Sequence, residues 1–222
     1  MLLQSRVALL GSVQAKIRPN IIFIDLEPLS HLNKTGLYTG GKLNVPGLKR
    51  LMAKGSSVNK SLSYHHEAPG LSKSLKGSSY KTYHVGSWDI PGKSAREHFT
   101  VFHEGGWCGE LNDQDVTSGA RSFLRNYEEA DPFFLSVAYL EPGECCLPKG
   151  ESFPPKGEGF SQKGQGQLPD EENYPRYVER LGLEIELVLD ELERSRYREN
   201  TIILYAWSHG EGIECLFAEK LI

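Results

Sequence analysis

The run Thr201 to Trp207, TIILYAW, is short, rich in β-branched and aromatic residues, and lacks the alternation of a strand with one wet face. It predicts a strand covered on both sides, and hence a parallel sheet with a helical layer on each face. The run gives way abruptly to Ser208-His209-Gly210-Glu211. That order sets a hydroxyl, an imidazole and a carboxylate just past the carboxyl end of a strand, where open α/β sheets hold their ligands. Two more runs have the same character. Ile17 to Leu26 predicts a buried strand from about Asn20, and Phe133 to Leu140 predicts another, launched by the turn Asp131-Pro132. Tyr80 to Val85 predicts a shorter one.

Amphipathic helices separate these strands. Val45 to Gly55 carries Pro46 near its start, Leu48, Leu51 and Met52 on one face, and Gly55 as a stop. Asp113 to Ala130 has Asp113 as a candidate cap and an apolar stripe of Val116, Ala120, Phe123, Leu124 and Tyr127. The strongest helical pattern runs from near Pro175 to Arg198, with Tyr177, Val178, Leu181, Ile185, Val188, Leu189 and Leu192 at intervals of three and four. Strands alternating with helices imply an α/β domain with a mostly parallel central sheet flanked by helices.

With 25 basic and 29 acidic side chains among 222 residues, the chain carries a formal charge of −4, which leaves no nucleic-acid footprint. No run approaches the roughly 20 apolar residues that span a bilayer. Residues 1–17 form a leader ahead of a domain over 18–222. MLLQSR, VALLGSV and Gln14-Ala15 have the layout of a very short signal peptide, although Arg6 and the brevity argue against one. A working signal would make the protein secreted or periplasmic; otherwise it is cytoplasmic. Cys108, Cys145, Cys146 and Cys215 have neither the paired spacing of a zinc site nor the density of a disulfide scaffold. Asn33-Lys34-Thr35 and Asn59-Lys60-Ser61 match the glycosylation pattern, which matters only in a secreted eukaryotic chain. From Gly143 to Pro169 the chain is an irregular glycine- and proline-rich segment bearing Lys149, Lys156 and Lys163.

Taken in order, these phrases resemble the N-terminal portion of the sulfatase family, a branch of the alkaline phosphatase superfamily. The resemblance runs from about Arg18 to Glu211 and implies a truncated sulfatase-like core whose ancestral substrate class is a sulfate ester. It also implies where the chemistry belongs, and there the residues differ. Aligned on Asn20-Ile21-Ile22-Phe23, the family's two metal-binding aspartates fall at Glu27 and Pro28. Glutamate can ligate Ca2+ or Mg2+ through oxygen, whereas proline offers no donor. Asp25 is the substitute two residues earlier, and His209 keeps its place after the last strand while the neighbouring aspartate reads Ser208. The family nucleophile, a cysteine converted to formylglycine, aligns with Glu67; no cysteine lies between Ser61 and Gly77, so formylglycine cannot form there. The arginine beside it reads Leu71. His65 and His66 sit in the same polar loop. In the family's Gly-Lys-Trp-His turn, the lysine and histidine that contact sulfate read Ser87 and Asp89, and the histidine after the Phe133 run is absent from Glu141-Pro142-Gly143.

Hydrolysis needs a metal cage, a nucleophile and cationic groups that stabilise developing charge. With these substituted, the resemblance implies a sulfatase-like protein of impaired catalysis. Two alternatives remain at this stage: a metal-dependent phosphoester or sulfate-ester hydrolase built on Asp25, Glu27, Asp89 and His209, and a non-catalytic module that binds a glycan or a protein.

Overall fold

A computed structural model describes residues 18–26, 43–58, 70–88, 95–104, 112–139, 174–209 and 212–218. Its frame is a seven-stranded sheet. In chain order the elements are β1 (Asn20–Leu26), α1 (Pro46–Lys54), β2 (Gly55–Val58), α2 (Leu71–Gly77), β3 (Lys81–Gly86), α3 (Ala95–His98), β4 (Val101–Glu104), α4 (Asp113–Asn126), β5 (Phe133–Tyr139), α5 (Tyr174–Arg194), β6 (Thr201–His209) and β7 (Gly212–Ala218). Across the sheet the strands lie in the order β2-β7-β6-β1-β5-β3-β4. β1 takes the middle, parallel to β5 on one side and to β6 on the other. Only β7 runs against the rest, antiparallel to both β6 and β2.

The three apolar runs therefore become adjacent central strands, as their lack of alternation requires. β5 is buried along its whole length, while β1 alternates between buried and half-buried positions. On one face Ile22, Ile24 and Leu26 join Phe133, Leu135, Val137, Tyr139, Ile203 and Tyr205 beneath α1, α4 and α5 in one continuous core. The stripe along α5 supplies Tyr177, Val178, Leu181, Ile185, Val188, Leu189 and Leu192 to that core. Helices α1 and α5 cross closely at Gly47, where a Cβ would lie 2.6 Å from the Glu186 amide nitrogen. Only a residue without a side chain permits that approach.

Several boundaries differ from the sequence expectation. Asn112, not Asp113, caps α4: its Oδ1 accepts from the Asp115 amide at 3.0 Å, and Asp115 Oδ2 accepts from the Asn112 amide at 3.1 Å. This reciprocal box satisfies two helix-end donors and leaves Asp113 fully buried as the first helical residue. α4 ends at Asn126 rather than Ala130, and α5 at Arg194 rather than Arg198, with a 3-10 turn over Arg198–Asn200. Met52 lies outside the buried face of α1, 39% exposed, while Leu48 and Leu51 are covered.

Candidate functional site

The second face of the sheet carries the unusual residues. Strand register sets them in rows: Thr82, Phe134, Ile21 and Ile202; then His84, Ser136, Phe23 and Leu204; then Gly86, Ala138, Asp25 and Ala206. The last row lies at the carboxyl end of the parallel strands, where the fold places ligands. Among these four residues Asp25 has the only side chain larger than a methyl group, and the row continues to Glu104 of β4 and Cys215 of β7. Asp25 is half-buried, and burial pushes its carboxyl from 3.8 up to about 6. Its neighbours in register on β5 and β6, Ala138 and Ala206, are small and supply no compensating cation.

At the end of β3, Gly86 has φ +113°, and a Cβ there would sit 1.8 Å from the Ala138 carbonyl oxygen. No L side chain fits that backbone. The Ser87 amide donates to the same carbonyl at 3.0 Å, closing the ladder before Trp88. Trp88 folds back over the sheet: its ring lies 5.4 Å from that of His84 and 5.5 Å from that of His98. His84 is 3% exposed, and its Nδ1 lies 3.1 Å from Ser136 Oγ. Its Nε2 is buried without a hydrogen-bond partner. Burial holds its pKa down at about 4, against a smaller opposing pull from the backbone of Ser87 and Gly86, which are near without hydrogen-bonding Nε2. Behind Trp88, His98 Nδ1 lies 3.2 Å from Ser72 Oγ.

Of the residues expected at the site, the structure places Asp25 in the row just described. Ser208 and His209 are the last paired residues of β6, opposite Ile213 and Gly212, rather than members of a turn beyond it. The correction follows from β7, whose return along β6 extends the ladder past Trp207. Glu27, Glu67, His65, His66, Asp89 and Glu211 lie outside the described residues, as do the segment Gly143 to Pro169 and all the cysteines but Cys215. Asp25 is level with Ala206, so His209 falls three residues further along β6. Among the described residues no three of His, Cys, Asp and Glu gather into a group that could hold a metal ion, so these residues by themselves do not make a cage for Ca2+ or Mg2+. The sequence reading missed the pair His84 and Ser136. Each is a polar break inside an apolar strand, KTYHVG and FFLSVAY, but only the register brings the two breaks together.

No family model matches the sequence, and no curated protein does. The fold is nonetheless that of a defined class: solved structures similar to this chain are sulfatases and other members of the alkaline phosphatase superfamily. A protein of that superfamily from Vibrio parahaemolyticus matches 92% of this chain over 61% of its own length, with 17% identity and a TM-score of 0.61. A 2-O GAG sulfatase matches 91% over 64% of its own length, at 14% identity and 0.61. The C-terminal periplasmic domain of EcEptC from Escherichia coli matches 94% over 74%, at 13% identity and 0.63. The chain thus spans somewhat under two thirds of the first two. At these identities the likeness is one of fold. No helix among the described residues is long and apolar enough to cross a membrane.

Proposed function

We propose that this chain is a sulfatase-like protein, of the sulfuric ester hydrolase type by descent, whose catalysis is impaired. The observation that carries the reading is Ser87. It is tied by its amide to Ala138 at the carboxyl end of β3, the position where the resembling family presents a lysine to sulfate. A neutral hydroxyl there contributes little against the charge that develops on a transferring sulfuryl group. Asp25, one strand beyond Ala138 in the same row, adds negative charge at that end. Removing one preorganised electrostatic donor lowers rate by about 10² to 10³, and this chain lacks several, including the arginine that would follow the nucleophile position at Glu67. Expected, then, is no aryl sulfate turnover above background with Ca2+ or Mg2+ supplied. Turnover that disappears in Glu27→Ala or His209→Ala would overturn the reading.

A second reading, a metal-dependent hydrolase of altered chemistry, draws support from Asp25, a carboxylate desolvated without a cation beside it in register. Thermal unfolding in EDTA and again with excess Ca2+ or Mg2+ separates the two. A ligand that binds only the native state raises the midpoint by mass action, and a rise lost in Asp25→Asn favours the second. A midpoint indifferent to metal, with a sulfated glycan bound but not turned over, would make the chain a binding module.

A further inference from the structure

The three central strands begin around a cavity at the opposite end from the Asp25 row. Asn20 opens β1, Pro132 leads into β5 and Asn200 leads into β6, and all three border a space of about 380 Å³. That is the size of a small-molecule site.

Hydrogen bonds fix its rim. Tyr127 Oη donates to the Asp131 carbonyl at 2.7 Å, Asn200 Nδ2 to the Arg18 carbonyl at 3.0 Å, and Arg196 Nη2 to the Tyr127 carbonyl at 3.1 Å. A cavity already held in shape loses little conformational freedom when it is filled. Asn20 is the most buried of the lining residues, 6% exposed. Its Oδ1 accepts from the Phe133 amide at 3.1 Å, which settles which end of the side-chain amide is oxygen. Nδ2, a donor with no hydrogen-bond partner among the described residues, is left to the cavity.

Two guanidinium groups and two carboxylates belong to the lining, and they are unequally engaged. Glu129 is paired with Lys81 at 3.1 Å and accepts from Tyr83 Oη at 3.2 Å. Asp131 is exposed, and among the described residues its carboxylate makes no ion pair. The two arginines donate to neutral oxygens: Arg196 to the Tyr127 carbonyl and Tyr197 Oη, Arg18 to the Ser78 carbonyl. The lining thus presents two positive charges and one negative charge that no ion pair among the described residues neutralises. An inorganic anion would meet the Asp131 carboxylate with nothing to donate to it, and an ammonium ion would meet two guanidinium groups. A ligand with one anionic group and several hydroxyls complements both.

We propose that this cavity is a second, non-catalytic site for an acidic monosaccharide unit, a sugar ring bearing a carboxylate or a sulfate group. Arg18 and Arg196 hold the anionic group, while Asn20 Nδ2 and the Asp131 carboxylate hold ring hydroxyls. The site lies at the amino ends of the strands, so it does not depend on whether the carboxyl ends turn over an ester.

The test follows the backbone and side-chain amide signals of 15N-labelled protein as glucuronate or galactose 6-sulfate is added, with galactose and inorganic sulfate as separate controls. Expected are saturable shifts with one or both acidic sugars, the Asn20 side-chain amide among them, at concentrations where galactose and sulfate give none. Arg18→Gln and Asp131→Asn remove the charged groups but keep the backbone carbonyls that receive Asn200 and Tyr127. Each variant should therefore stay folded, as its unfolding midpoint will report, and bind about tenfold more weakly. A response to glucuronate alone would assign the carboxylate form, and one to galactose 6-sulfate alone the sulfate form. No saturable shift with either sugar would overturn the proposal. So would equal binding of galactose, equal binding of inorganic sulfate, which would mean an adventitious ion only, or unchanged affinity in both variants. Binding lost in Asp25→Asn but kept in the other two would place the sugar at the carboxyl end and overturn it as well.

Discussion

Ile22 and Ile24 are sealed in the core beneath α1, α4 and α5, whereas Ile21, Phe23 and Asp25, interleaved with them on the same strand, are half-buried on the opposite face. On the first face the strand side chains are mostly apolar, and Tyr139 Oη lies 3.0 Å from Thr117 Oγ1 of α4. The other mixes a small aromatic cluster of Tyr80, Phe99 and Phe134 with His84, Ser136 and Asp25. The difference teaches that stability and chemistry have been assigned to separate sides of the same strands. The helices over the first face bring buried carboxylates of their own, Asp113 of α4 and Glu184 of α5, whereas the strand groups His84 and Asp25, whose protonation burial shifts, lie on the other face.

The largest expected effect tests the first half of that statement. Ile22→Ala should lower unfolding free energy by about 3 kcal/mol and Ile21→Ala by about 1 kcal/mol, since a sealed side chain loses transfer energy and leaves a cavity while a half-buried one does neither fully. The two substitutions are chemically identical and adjacent, and urea midpoints compare them directly. Equal losses would mean that the second face is as well packed as the first.

Next comes pH. His84 has its pKa depressed to about 4 from 6.5, so the unfolded chain takes up the proton first as pH falls. Its stabilising contribution is full above pH 6.5 and drains between 6.5 and 4, by about 3 kcal/mol in all. Asp25 has the opposite sign. Its carboxyl is raised from 3.8 to about 6, so its contribution is full below pH 3.8 and is lost as pH rises through 6. Between pH 4 and 6 the two slopes oppose. Relative to the unsubstituted protein, His84→Gln should therefore lose stability with rising pH, and Asp25→Asn should gain it. Denaturant midpoints measured at half-unit intervals check this, and parallel curves for the two variants would refute it.

Smaller still is the direct effect of neutralising Asp25. In metal-free buffer at pH 7, Asp25→Asn should stabilise by about 1 to 2 kcal/mol, because an amide costs less to desolvate than an unpaired carboxylate. A destabilising result would show that a positive charge neutralises the Asp25 carboxylate in the folded protein. Smallest is Arg50→Met. On the helical layer, Arg50 holds Glu186 at 3.1 Å, Asp190 at 2.8 Å and Glu193 at 2.6 Å. The loss should be about 1 kcal/mol and shrink with added salt, as partly exposed ion pairs do.

Much of the frame was legible in the sequence because it rests on local patterns. The apolar runs of β1, β5 and β6 and the stripes of α4 and α5 each carry their own period, and their alternation implies the sheet. What stayed hidden depends on partners distant in sequence. Gly55–Val58 and Val101–Glu104 are four-residue strands with too little pattern to stand out, and they exist because β7 and β3 offer them edges. Gly212–Ala218 turns Ser208 and His209 from a supposed loop into paired strand. Of the site, Asp25 could be singled out as a carboxylate near a strand end. The pairing of His84 with Ser136, fifty-two positions apart, could not.

The position of β1 also bears on how the chain acquires its fold. Ile21 pairs with Phe134 on one side, while Asn20 pairs with Thr201 on the other. At roughly 5 to 20 residues per second of synthesis, β1 leaves the ribosome at least several seconds before its second neighbour exists. The central strand of the finished sheet is therefore, during synthesis, an apolar segment with an open edge, the kind of edge that recruits other chains. Loops closed over such distances form slowly. β1 completes its pairing only once Thr201–His209 has been made, and until then its edge on the β6 side stays open.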